Sequence, residues 1–89
     1  MNLQDRIVKE ILNFMRNTQR HASSEDSLIR YTLKRDFADI VYGRNVIGKQ
    51  VAQRLLWLTR KGIIRKEYLH NEDIYILTDE YLHGESADE

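Results

Sequence analysis

The chain contains no cysteine. That excludes disulfide staples and thiolate zinc sites, and leaves a hydrophobic core, with whatever dimerisation adds, to hold the fold. No apolar run comes near the roughly 20 residues a membrane-spanning helix needs. The opening Met1-Asn2-Leu3-Gln4-Asp5-Arg6 lacks the apolar stretch of a secretory leader. The expected setting is therefore cytoplasmic, without membrane contact. Catalytic signals are equally scarce. His21, His70 and His83 are scattered without metal-ligand spacing. Ser23 and Ser24 lie in a polar stretch with no evident base, where capping a helix suits them better than nucleophilic attack. No glycine-rich phosphate loop is present. These absences lead us to expect a protein that is not an enzyme, uses no metal or cofactor, and has no evident small-molecule ligand.

Charge is balanced overall, with 14 basic and 14 acidic residues among 89. Its distribution is not. From Arg44 to Lys66 there are seven basic residues and no acid, whereas from Glu67 to Glu89 there are eight acids and no lysine or arginine. A short charge run is most often a solvated face. Complete segregation over adjacent segments, one of them helical, creates a local positive potential that the net charge hides.

The length suits one domain. Leu3, Ile7, Val8, Ile11, Leu12 and Met15 fall at helical spacing, so a first helix is expected over residues 3–17, with Asn2 as N-cap and Asp5 near the positive end of its dipole. Residues 17–26 are polar and aperiodic and read as a loop; within it Ser23 and Asp26 resemble a capping box. Ile29, Leu33, Phe37, Ile40 and Val41 predict a second helix ending at Tyr42, closed by Gly43. Its start has two readings, because Leu28-Ile29-Arg30-Tyr31 also suits a short strand; the longer helix is preferred. A third helix is expected over residues 46–61, with Asn45 as N-cap, Ile47, Val51, Leu55 and Leu58 inward, and Gly62 beyond its end. A hairpin follows, with a polar turn at His70-Asn71-Glu72-Asp73 and a β-rich run Ile74-Tyr75-Ile76-Leu77. Residues 80–83 add a helical turn, and the acidic residues 84–89 read as a disordered tail. The expected core is Ile7, Ile11, Leu33, Phe37, Ile40, Val51, Leu55, Leu58, Ile64 and Ile76.

Three helices and a hairpin follow the order of a winged helix. The stretch Leu55-Leu56-Trp57-Leu58-Thr59-Arg60-Lys61-Gly62-Ile63-Ile64 resembles the end of the recognition helix and the entry to the wing in bacterial and archaeal winged-helix regulators. Tyr75-Ile76-Leu77-Thr78-Asp79 resembles their last wing strand, and the matching region spans roughly residues 33–82. The resemblance implies an α+β winged helix-turn-helix domain over residues 1–83. It also implies sequence-specific double-stranded DNA binding and transcription regulation, with the third helix in the major groove. The plainer alternative is a three-helix domain with a hairpin.

On that helix, Lys49, Gln53, Leu56 and Arg60 are expected to point outward, with Gln50 and Arg54 flanking the core face. Lys49 suits guanine O6 or N7, and Gln50 or Gln53 suits adenine N6 and N7. Arg44 and Asn45 at the helix start, and Arg65 and Lys66 on the first hairpin strand, suit phosphates. Gly48 would permit close approach to a groove wall. Trp57 is expected to be covered by the first helix or the hairpin. The acidic turn departs from the resemblance, since phosphate would repel it. A homodimer through helix 1, Tyr81 and Leu82 is expected, to read two half-sites. The rival reading is a protein-interaction winged helix within a larger complex.

Overall fold

The computed structural model describes residues 2–34 and 44–87. In chain order these form α1 (Leu3–Arg16), β1 (Ala22–Ser24), α2 (Glu25–Leu33), α3 (Arg44–Arg60), β2 (Ile64–Leu69), β3 (Glu72–Leu77) and α4 (Asp79–Ala87). The class is α+β. The helices pack with one antiparallel sheet of order β1-β3-β2, which leaves β1 and β2 as edges. Phe37, Ile40 and the expected close of the second helix at Tyr42 and Gly43 lie outside the described residues.

α1 forms as its pattern dictates. Asn2 accepts the Asp5 amide at 2.8 Å, and Ile7, Ile11 and Met15 are buried on one face. At its end, the Thr18 hydroxyl donates to the Met15 carbonyl (2.8 Å) and accepts from the Ala22 amide (2.9 Å). This tie delivers the chain into β1, a strand where the sequence indicated only loop. β1 pairs with β3 in the register Ala22↔Ile76, Ser23↔Tyr75, Ser24↔Ile74.

The helix cap moves by one residue from the expected Ser23. Ser23 is buried in β1, and Ser24 caps α2 by accepting the Ser27 amide at 3.2 Å. Leu28-Ile29-Arg30-Tyr31 is helical, so the strand alternative does not hold. The buried Thr32 hydroxyl is satisfied by the Leu28 carbonyl at 2.8 Å.

α3 starts at Arg44, which places Asn45 inside the helix rather than at its cap. Ile47, Val51, Leu55 and Leu58 are all fully buried. Its end is a Schellman motif. The Ile63 amide donates to the Leu58 carbonyl (3.0 Å) and the Gly62 amide to the Thr59 carbonyl (3.1 Å), with Gly62 at φ 76°. Ile63 then packs against the core.

The hairpin turn is shorter than its polar sequence suggested. His70 (φ 52°) and Asn71 (φ 65°) form a two-residue turn of the type I′ kind, so Glu72 and Asp73 belong to β3. Pairing Ile64 with Leu77 and Lys66 with Tyr75 sends Tyr75 and Leu77 inward, and Ile76, expected in the core, is only half-buried on the other face. The run Ile74 to Leu77 is apolar at every position and does not declare its inner face. Leu33 is likewise half-buried at the core edge, while Leu28 and Met15 fill the centre.

Thr78 joins three elements. Its hydroxyl donates to the Gly62 carbonyl (2.6 Å) and accepts from the Tyr81 amide (3.2 Å), so it caps α4 and ties the strand end to the α3 terminus. α4 continues through Ala87, beyond Gly84, where composition indicated a disordered tail. Among the described residues no helix is long and apolar enough to cross a membrane.

Candidate nucleic-acid interface

Burying Ile47, Val51, Leu55 and Leu58 turns the opposite face of α3 to solvent. Asn45, Lys49, Gln53, Leu56 and Arg60 are exposed there, as the helical spacing required. Arg44 opens the helix, and its side chain lies outside the described residues. Gln50 and Arg54 sit half-buried at the rim. Gln50 Oε1 and Arg54 Nε are buried and have no hydrogen-bond partner among the described residues. Neither is presented to solvent as fully as Lys49 or Gln53. Gly48 faces α2 rather than a groove: a Cβ there would lie 3.8 Å from Ile29 Cδ1.

Arg65 and Lys66 are exposed on β2, and both are engaged by carboxylates of the same hairpin. Arg65 hydrogen-bonds Glu67, and Lys66 Nζ lies 3.5 Å from Asp73 Oδ2. With roughly half of each basic side chain exposed, such pairs hold weakly and exchange readily with another anion. The eight candidate residues whose side chains are described therefore divide. Asn45, Lys49, Gln53 and Arg60 share one open helical face, Arg65 and Lys66 stand apart on the hairpin, and Gln50 and Arg54 are turned aside.

Two features escaped sequence reasoning. Trp57 is 41% exposed, with Lys61 Nζ 5.7 Å from its ring centre, so neither α1 nor the hairpin covers it. Val46, Leu56, Tyr68 and Leu69 are exposed as well, at 47%, 53%, 68% and 43%. The helical wheel had marked Leu56; Tyr68 and Leu69 carried no signal beyond strand propensity. The second feature is an acidic cleft lined by Ser24, Glu25, Asp26, Glu72, Asp73 and Tyr75. It exists only because β1 pairs with β3. Burial pushes the Tyr75 phenol above its ordinary range; Lys66 opposes this, and Glu25 and Asp73 add to it.

Of the residues expected at a dimer contact with helix 1, Tyr81 and Leu82 are half-buried within the chain. Tyr81 hydrogen-bonds Arg16, whose guanidinium also lies 5.5 Å from the Tyr81 ring centre, and Tyr81 and Leu82 pack against the core. Among the described residues no three His, Cys, Asp or Glu side chains form a metal-binding group. Compared with protein-family models, with curated proteins and with solved structures, the chain has no match.

Proposed function

We propose that this chain is a winged-helix domain that binds double-stranded DNA sequence-specifically, as a transcription regulator, with α3 in the major groove. The observation that carries the reading is the open face of α3. Asn45, Lys49, Gln53 and Arg60 are exposed together, and no acid occurs from Arg44 to Lys66. A helix of this kind fits the major groove, and its N-terminal half is the part that meets base edges. Lys49 donates to guanine O6 or N7, and Gln53 pairs with adenine. Asn45 and Arg60 meet phosphates at the two ends of the contact. Arg65 and Lys66 reach the backbone by exchanging Glu67 and Asp73 for phosphate. The sheet order β1-β3-β2, with a hairpin directly after α3, supports the winged-helix reading.

A second reading is a protein-interaction winged helix. The exposed Val46, Leu56 and Trp57 on α3, and the acids beside the hairpin turn, favour it. Binding of the full chain to mixed-sequence duplex across a salt series separates the two. DNA binding predicts a log–log slope of about −0.9 per phosphate neutralised. Absence of duplex affinity at low salt would contradict it and leave the protein-interaction reading.

A further inference from the structure

Among the described residues, the exposed large hydrophobic side chains are Val46, Leu56, Trp57, Tyr68 and Leu69. Only Val46 lies in the N-terminal half of α3. It stands in the first turn of the helix and is 47% exposed, so the core does not take it up. Lys49 and Gln53 follow it at three and seven residues, and both are exposed. That spacing puts the three side chains on one stripe of the helix. At about 1.5 Å of rise per residue, the stripe runs about 10 Å from Val46 to Gln53. Leu56 and Trp57 lie about 15 Å or more from Val46 along the axis, in the half of a recognition helix that does not lead into the base edges.

We propose that Val46 reads a thymine, its methyl groups packing against the thymine 5-methyl in the major groove, beside the bases met by Lys49 and Gln53. This rests on the DNA reading above and adds to it a base that hydrogen bonding does not supply. Valine carries no polar side-chain atom, and the apolar group that a base edge shows in the major groove is the thymine methyl. A valine in a helix also holds one strongly preferred rotamer, so little side-chain freedom is lost when the contact forms. The order of residues along α3 sets the order of bases. Val46 and Lys49 are about 4.5 Å apart along the axis, and Lys49 and Gln53 about 6 Å. Against a rise of about 3.4 Å per base pair, each interval is one or two steps. The guanine met by Lys49 therefore lies between the thymine and the adenine met by Gln53.

The full chain is first used to select its motif from a random duplex pool. Each thymine of that motif is then replaced in turn by deoxyuridine, which removes the 5-methyl group and keeps the base pair. Kd is measured on every duplex for the parent and for Val46→Ala. Val46 is exposed, and circular dichroism and Tm verify the fold of the variant. At one thymine, on the side of the guanine away from the adenine, deoxyuridine should weaken the parent about fourfold, the worth of one buried methyl. Val46→Ala should lose a similar factor on the thymine duplex and bind the thymine and deoxyuridine duplexes alike. Its preferences at the guanine and the adenine should stay. A motif without thymine, or a parent that tolerates deoxyuridine at every position, overturns the assignment of Val46 and leaves the DNA reading standing. So does a Val46→Ala variant that keeps the full discrimination, or a sensitive thymine that lies between the guanine and the adenine. A parent that enriches no motif overturns the DNA reading itself, and this inference with it.

Discussion

α3 and the hairpin are both exposed, and both carry basic residues the sequence marks, but their charges are answered differently. On α3, Lys49 and Arg60 project from a helix without a single acid. On the hairpin, Arg65 is met by Glu67 and Lys66 by Asp73, and Glu25 and Asp26 sit nearby. A cation without a counter-charge among the described residues offers its field to a partner, whereas one that is already answered must first exchange. The difference teaches that a basic run in sequence divides once strand pairing brings acids from elsewhere beside part of it. It also separates two roles: α3 is suited to reading a sequence, and the hairpin to a weaker contact with backbone or protein.

The largest expected effect strikes the platform that both regions share. Leu55 is fully buried among the helices, and Leu55→Ala should destabilise by roughly 2–5 kcal/mol. Chemical denaturation measures this, and a change under 1 kcal/mol would place Leu55 outside the core. Next comes the contrast itself. Lys49→Ala and Gln53→Ala should each lose roughly 1–3 kcal/mol on a preferred duplex and much less on others. Arg65→Ala and Lys66→Ala should weaken all duplexes alike and lower the salt slope by roughly one unit each. Titrations on matched and scrambled duplexes check both halves, and equal behaviour of the two sets would erase the contrast.

The junction between the regions gives a smaller effect. Gly62 has φ 76°, and a Cβ there would meet nothing within 4 Å. The cost of Gly62→Ala is therefore backbone strain alone, about 1–2 kcal/mol of unfolding free energy, measured by chemical denaturation. The smallest effect concerns alkaline pH. The Tyr75 phenol is raised by burial, so the unfolded chain loses that proton first as pH climbs. Tyr75 then contributes stability that is complete below its unfolded value near 10 and is lost as pH rises through its higher folded value. Tyr75→Phe should flatten that part of the alkaline loss; an unchanged slope would mean the phenol is solvated.

What the sequence revealed follows what is local. α1 and α3 were legible because Ile7, Ile11 and Met15, and Ile47, Val51, Leu55 and Leu58, repeat at helical spacing beside identifiable ends. Gly62 was legible because a left-handed helix end selects glycine. β1 was not, since Ala22-Ser23-Ser24 has neither apolar alternation nor β-branching, and its pairing partner lies at the far end of the chain. The length of α4 was hidden for a similar reason: its cap, Thr78, is fixed by a hydrogen bond to Gly62 that only the folded chain forms. For the site, helical geometry placed Lys49, Gln53 and Arg60 outward. It could not show that Arg65 and Lys66 would meet Glu67 and Asp73, or that Trp57 would stay 41% exposed, because both are outcomes of packing.

The most direct test of α3 as a reading helix is selection of bound sequences from a random duplex pool, run in parallel with the parent and with Lys49→Ala. The account predicts that the parent enriches a defined motif and that the variant loses preference at a guanine position while keeping the rest. A parent that enriches nothing, or a variant that enriches the identical motif with identical strength, would contradict it.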